Sequence, residues 1–350
     1  MKDFPRKDNK MTTKERINIL KTLGDRLIVP DEYLNAVMKR TEFNNGWLTV
    51  ANQRKAIDAI VTQFLDGDKL EQWATQYTFA SNVAPRKIGL VMAGNIPLVG
   101  FHDFLCVFIA GDQALVKLSS KDPYLFPYLV QLMEKIDSRV ADYVKVVDRL
   151  QNYDAVIATG SNNSAKYFEA YFGKVPHIIR KNRNGVAVLT GKETEQELKS
   201  LGKDIFEYFG LGCRNVSKIY VPEGYNFEPL LEALHTYNKI VLNTKYKNNF
   251  DYNYAVYMLN KVPFKANGCI ILVEQEAIPS NIATLHYEYY SDMSSLAAKL
   301  EMLRDEIQEI VASADVKIGL PTIPFGDAQQ PTLFDYPDGV DTMKFITSGT

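Results

Sequence analysis

The sequence predicts an α/β protein with mainly parallel sheets, and three observations carry that prediction. From Lys87 onward, short apolar runs alternate with runs of helical period, the rhythm of strand–helix–strand units joined by right-handed crossovers. The strand candidates are brief and rich in Val, Ile and Leu, as in KIGLVMA, DAVIAT and GVAVLT. The 350 residues also suffice for two domains, each with a core of its own.

Taken in order, residues 1–84 read as an amino-terminal helical region: TTKERINILKTLGDRL, DEYLNAVMKRTEF and VANQRKAIDAIVTQFL carry apolar residues at helical spacing. Residues 85–190 form a first α/β domain, with strands KIGLVMA, QALVKLSS, YVKVVD and DAVIAT and helices GFHDFLCVFIAG and DPYLFPYLVQLMEKI. GVAVLT is a further strand before a polar break. A second α/β domain, 191–325, opens on a helix capped by Thr194 and Glu197, with Leu198, Leu201, Ile205 and Phe209 on its apolar face and Gly210 placed to end it. There follow strand SKIYV, helix FEPLLEALHTYNKIV, strands YAVYML, GCIILVEQ and HYEYY, a long amphipathic helix SLAAKLEMLRDEIQEIVA and strand VKIGL. The tail, 326–350, is rich in turn residues and is expected to end in an apolar strand available for oligomerisation.

Composition narrows the function classes. The chain is 46% hydrophobic and 23% charged with a formal net charge of -2, which gives no electrostatic reason to expect nucleic acid or a membrane surface as partner. The start has no apolar leader run, and the longest apolar candidate, 96–110, is too short to span a membrane and contains His102 and Asp103. Three irregularly spaced cysteines fit a reducing cytoplasm better than a disulfide framework. The four histidines, His102, His177, His235 and His286, are scattered, so no metal is expected.

Cys106 and Cys269 lie inside apolar runs and read as core filler. Cys213 differs, because FGLGCRNVSKIYVP sets it at a helix-to-strand junction between glycine and Arg214. Backbone donors, positive charge and solvent favour a thiolate. A structural cysteine at a glycine turn remains open on that local evidence. Asn95 in VMAGNIP follows the first parallel strand, where such sheets bind ligands. It reads either as a turn residue or as an oxyanion donor, a role worth about 3 kcal/mol in a transition state. Lys117 in LVKLSSKDP emerges at a strand end, as a snorkelling lysine or as a cation for nucleotide hydroxyls or phosphate. Gly160 and Ser161 in ATGSNNSAKYF stand between a strand and a helix, where backbone donors meet phosphate. No G-x-G-x-x-G follows a strand.

The order AGNIP, LVKLSSKDP, ATGS and a glycine-flanked cysteine before a strand resembles the aldehyde dehydrogenase superfamily over residues 85–225, and within it the LuxC-like fatty acyl-CoA reductases of bacterial bioluminescence. The tail PFGDAQQPTLFDYPDGVDT also looks like that family's carboxyl end. The resemblance implies an aldehyde dehydrogenase-like pair of Rossmann-type α/β domains. It implies Cys213 as the nucleophile taking the acyl group from a thioester, with Asn95 and the Cys213 backbone N–H holding the oxyanion. Lys117, with Ser119, Ser120 and Lys121, would bind the adenosine ribose or its phosphate, and Gly160 and Ser161 would lie against the pyrophosphate. A homo-oligomer, working with an acyl-activating partner, is part of the same expectation.

Two departures from the family pattern refine it. Hydrolytic aldehyde dehydrogenases carry a glutamate in an E-L-G-G stretch to activate water; here the comparable stretch is RKNRNGVAVL, without a carboxylate. An acyl-enzyme should then persist until a thiol or a hydride reaches it, which favours thioester chemistry over aldehyde oxidation. Where many NAD-preferring members have a glutamate after the lysine, this chain has Ser120 and Lys121, which favours NADPH, with NADH the second option. The alternatives are oxidation of an aldehyde, reduction of an acyl phosphate, or a non-catalytic subunit of an acyl-transfer complex. His177 is a minor candidate as proton donor, and Arg180, Lys181 and Arg183 as a basic cluster for coenzyme A phosphates. The aromatic stretches NFDYNYAVYML and HYEYY are read as sheet faces.

Overall fold

The computed structural model describes residues 10–79 and 84–348. The expectation about an amino-terminal leader therefore falls largely on residues 1–9, outside the described residues. The chain packs as two compact units, Met1–Lys181 with Thr332–Thr350, and Asn182–Pro331.

The first unit opens with four helices, α1 (Thr13–Ile28), α2 (Glu32–Asn44), α3 (Val50–Phe64) and α4 (Gly67–Ala74). Each starts on a side-chain cap, Thr12, Asp31, Thr49 and Asp66, whose oxygen takes an orphan N–H of the first turn. Then come β1 (Lys87–Val91), α5 (Phe101–Ala110), β2 (Gln113–Lys117), α6 (Leu125–Ile136), α7 (Val140–Tyr143), β3 (Val144–Val146), β4 (Ala155–Thr159), α8 (Asn162–Phe172) and β5 (His177–Arg180). The sheet runs β3-β2-β1-β4-β5 and all its pairs are parallel. The helical region is not separate from it: Leu20, Leu23 and Trp73 share one apolar core with Ile88, Phe104 and Val116. The apolar run near residues 96–110 becomes α5, buried from Phe101 to Ile109 and stopped by Gly111 at φ 86.

The second unit comprises β6 (Asn184–Val188), α9 (Glu195–Phe206), β7 (Val216–Pro222), α10 (Glu228–His235), α11 (Thr244–Leu259), β8 (Phe264–Ala266), β9 (Ile271–Glu274), β10 (Thr284–Tyr290), α12 (Met293–Met302) and β11 (Ile307–Ala312). Its sheet order is β11-β6-β7-β10-β9-β8, parallel except for β8 against β9. Strand β6 pairs here with β7 and β11, although the expected division at 190/191 assigns it to the first α/β domain.

The structure corrects five sequence expectations. YAVYML is no strand but the end of α11: Asn243 caps the helix, and Tyr246, Phe250 and Asn253 form its buried stripe. The expected long helix stops at Met302, and IQEIVA becomes β11, because the β-branched run finds the free edge of β6; pairing overrides helical spacing there. VKIGL forms no strand. Helix α9 ends at Phe206, so Phe209 is not on its face; Tyr208, Phe209 and Gly210 turn left-handed at φ 52, 61 and 74. The tail ends in a helix, α13 (Thr342–Ser348), and Met343 and Ile346 enter the core of the first unit.

Candidate functional site

In the first sheet the chain leaves β1 toward β2 on one side and returns with β4 on the other, so the strand order reverses between β1 and β4. Ligands of doubly wound sheets gather at the carboxyl ends of strands on either side of such a reversal. Three candidate groups come together along that edge. Asn95 is exposed on the loop after β1, Lys117 closes β2 in register with Val91 of β1, and Gly160–Ser161 follow β4.

The loops interlock tightly. A Cβ on Gly94 would lie 2.8 Å from both Cβ and Oγ of Ser119 and 3.1 Å from Cβ of Lys121, so only glycine lets the Asn95 loop approach the 119–121 turn this closely. Inside that turn the Lys121 N–H donates to Ser119 Oγ at 3.2 Å. Asn44 Nδ2 donates to the Ser120 carbonyl at 3.2 Å and Asn45 Nδ2 to the Lys121 carbonyl at 3.3 Å. These two asparagines at the end of α2 were missed by sequence reasoning, because their partners lie 76 residues away; the only signal was a polar pair before Gly46. A Cβ on Gly160 would meet Phe168 at 2.8 Å and Ser164 at 2.9 Å, and Ser161 caps α8 by accepting the Ser164 N–H at 3.2 Å. Exposed Lys117, Ser120 and Lys121 with a glycine-tight helix start form a donor set that fits a nucleotide.

In the second unit Cys213 is the exposed one of the three cysteines. Cys106 and Cys269 are fully buried, and burial pushes the Cys269 thiol up to about 11 and the Cys106 thiol well above its usual value. Cys213 stands with Arg214 at the corner of a turn in which the Asn215 N–H donates to the Gly212 carbonyl at 3.1 Å. Asn215, buried, binds this turn to the end of α9 through its side chain. Its Oδ1 accepts the Gly212 N–H at 2.8 Å, and its Nδ2 donates to the carbonyls of Asp204 and Glu207, both at 2.9 Å. The left-handed Tyr208 and Phe209 between these anchors cost about 1–2 kcal/mol each. The same helix end fastens the tail motif: the Asp204 carboxylate accepts the N–H of Gly326 at 2.6 Å and of Ala328 at 3.1 Å. Burial outweighs those bonds and pushes Asp204 up to about 7. Neither Asn215 nor Asp204 was singled out in the sequence, where nothing marks their long-range partners.

Several candidates take other roles. Arg214, read as a cation beside the thiol, directs Nη1 to Glu309 of β11 at 2.6 Å, so its charge is neutralised locally. Arg180 is buried, with Nη2 on Asp103 Oδ1 at 2.8 Å, and does not face solvent to meet coenzyme A. Arg183 donates to the carbonyls of Arg304 and Ile307; Lys181 is exposed. His177 opens β5 at the amino-terminal end, opposite the edge that carries Asn95, with Nδ1 on the Val175 carbonyl and Nε2 3.4 Å from Glu169. Where a water-activating glutamate was sought, residues Asn184–Val188 form β6 without a carboxylate. Among the described residues no cluster of His, Cys, Asp or Glu could hold a metal ion, and no helix is long and apolar enough to cross a membrane.

Two α/β units, one with a parallel sheet and one with a mixed sheet, make up an aldehyde dehydrogenase-like fold. Solved structures agree: aldehyde dehydrogenase 21 of Physcomitrella patens, in complex with succinate, superposes with a TM-score of 0.69 at 12% identity, covering 96% of this chain and 84% of that one. An NAD-dependent aldehyde dehydrogenase from Sinorhizobium meliloti gives 0.66 at 11% identity, covering 88% and 72%. A family model described as acyl-CoA reductase (LuxC) matches residues 9–234, and the chain belongs to that family. It is 20% identical over 278 residues to the long-chain acyl-protein thioester reductase 2 of Photobacterium leiognathi, and 20% identical over 267 residues to the long-chain acyl-protein thioester reductase of Vibrio harveyi. Each alignment covers 70% of this chain, and the chain spans 58% and 55% of those relatives' lengths.

Proposed function

We propose that this chain reduces a fatty acyl thioester, acyl-CoA in the first instance, to the aldehyde through an acyl-cysteine at Cys213, using NADPH. The observation that carries the reading is Cys213, exposed on a turn held by a buried asparagine, in a chain of the acyl-CoA reductase family. The Cys213 thiolate attacks the thioester carbonyl, and Asn95 and the Cys213 backbone N–H donate to the oxyanion. The carbon–sulfur bond to coenzyme A breaks, its thiolate leaves and takes up a proton, and an acyl-cysteine remains. A nicotinamide nucleotide held there would supply the two electrons, as hydride, to the acyl carbon. The same donors hold the second oxyanion, and its collapse releases the aldehyde and returns the Cys213 thiolate. Lys117, Ser119, Ser120 and Lys121 bind the adenosine end, where Lys121 in place of an acidic residue favours a 2′-phosphate and hence NADPH. Gly160 and Ser161 receive the pyrophosphate. With β6 offering no carboxylate, nothing there activates water against the acyl-cysteine.

Intact-protein mass after mixing with a panel of acyl-CoAs, without nucleotide, tests the reading. Wild type should gain the acyl mass and Cys213→Ala should not. No adduct from any chain length, with the thiol still titratable, would overturn it.

A second reading, an acyl-protein as donor in place of acyl-CoA, is favoured by the names of the two bacterial relatives. Comparing turnover on the same acyl group presented as either donor separates the two.

A further inference from the structure

Asp122 takes no part in the chemistry above, yet it is buried at the junction of the two candidate loops of the first unit. Its Oδ2 accepts the Leu98 N–H at 3.2 Å, while its Oδ1 is buried without a hydrogen-bond partner among the described residues. Burial pushes this carboxyl up to about 6, and a buried carboxyl with one oxygen left without a partner costs stability. Leu98 is itself strained, left-handed at φ 57. Two unfavourable features thus meet at one hydrogen bond.

What the bond holds is the segment carrying Asn95. At one end Gly94 is locked against Ser119; at the other Leu98 is fastened to Asp122. Both anchors belong to one short turn, 119–122, closed by the Asp122 N–H on the Ser119 carbonyl at 3.2 Å. Asn44 and Asn45 hold that turn from α2. Asn95 is therefore suspended between two points fixed to the same rigid piece.

We infer that Asp122 is a positioning residue for Asn95: its carboxylate keeps the loop after β1 in the strained conformation that presents the amide at the sheet edge. The role of Asn95 rests on the function proposed above, but the hold on the loop does not. Hydrogen exchange of the full-length protein tests the hold directly. In Asp122→Ala, exchange across 93–100 should rise roughly tenfold or more while β1 and the core of α5 stay protected. Asp122→Asn, which keeps an acceptor oxygen for Leu98, should retain the protection. In turnover of acyl-CoA, Asp122→Ala should lower kcat by about 10- to 100-fold, as misplacement of an oxyanion donor does. KM for thioester and nucleotide should move less than about threefold, because Asn44 and Asn45 still hold the 119–121 turn. Asp122→Ser, too short to reach the Leu98 N–H, repeats the test if the alanine variant does not fold. Unchanged exchange across 93–100 would overturn the proposal, and so would raised exchange with unchanged kcat. If the wild type turns over no thioester, the functional reading falls, and the exchange data alone decide whether Asp122 holds the loop.

Discussion

Arg180 and Asp103 form an ion pair at 2.8 Å with side chains only 4% and 7% exposed. The Thr342 hydroxyl lies 2.8 Å from Arg180 Nη2 and 3.1 Å from Asp103 Oδ1, and Arg180 Nη1 donates to the Pro337 carbonyl at 2.6 Å. Burial works against the guanidinium charge, but Asp103 more than offsets it and holds Arg180 above its ordinary pKa. The pair therefore joins β5, α5 and the carboxyl tail. Removing one partner leaves the other charge buried and unmatched, so Arg180→Ala or Asp103→Ala should destabilise the first unit by about 3–5 kcal/mol. Urea unfolding followed by a fluorophore near the tail would register that loss as a lower midpoint.

Asn215→Ala removes three hydrogen bonds from the Cys213 turn. The stability cost should be about 1–3 kcal/mol. The sharper effect should be on Cys213 itself: its alkylation rate at neutral pH should change at least about threefold, since thiolate character depends on fixed backbone donors. Alkylation kinetics with iodoacetamide, read as the mass gain of the exposed Cys213, give the answer independently of any substrate.

Gly94→Ala should weaken nucleotide binding roughly tenfold with little change in global stability, because the new Cβ would push the 119–121 turn away. Ser119→Gly alone should weaken binding as well, by removing the Ser119 Oγ that holds the Lys121 N–H, yet the double variant should lose less than the two single losses combined, because the Cβ and Oγ met by the new Cβ are then absent. Titration of nucleotide fluorescence across the single and double variants would reveal this coupling.

Asp204 should give the second unit a pH-dependent stability of defined sign. Its folded pKa, about 7, lies above the ordinary value of 3.8, so the folded state holds the proton more tightly. The resulting stabilisation is fully present below about pH 4 and is lost as pH rises through about 7. The stability difference between wild type and Asp204→Asn should accordingly fall across that window, by up to about 4 kcal/mol, and level off above it. Denaturant titrations at steps from pH 4 to 8 would show the slope, and a flat difference would contradict it.

Much of the frame was legible in the sequence because its signals are local. Thr194 and Glu197 form the expected capping box, and KIGLV, QALVK and AVIAT became strands of one parallel sheet. What failed were segments whose local pattern suits two states. The alternating tyrosines near Tyr252 imitate a strand on α11, and Ile307–Ala312 continues a helical spacing until β6 offers an edge. The places of Asn95, Gly160 and Ser161 after strands and of Lys117 at a strand end were legible; the groups that hold these loops were not. Asn44, Asn45 and Asp122 act on partners up to 76 residues distant, and Arg180 looked like a surface cation because Asp103 is 77 residues away.

The return of residues 332–348 to the first unit also bears on how the polypeptide is made. The second unit, Asn182–Pro331, is one uninterrupted stretch and can close as soon as it has emerged from the ribosome. The first unit waits longer. Leu333, Met343 and Ile346 belong to the same core as Trp73 and Phe104, and Tyr336 receives the indole N–H of Trp73 at 2.8 Å. Until residues 332–348 are synthesised, helices α1–α4 and their sheet must persist with part of their interior open. Residues 10–181 are thus translated before 182–331 yet close their core only after them, and for that interval their apolar interior stays partly open to solvent.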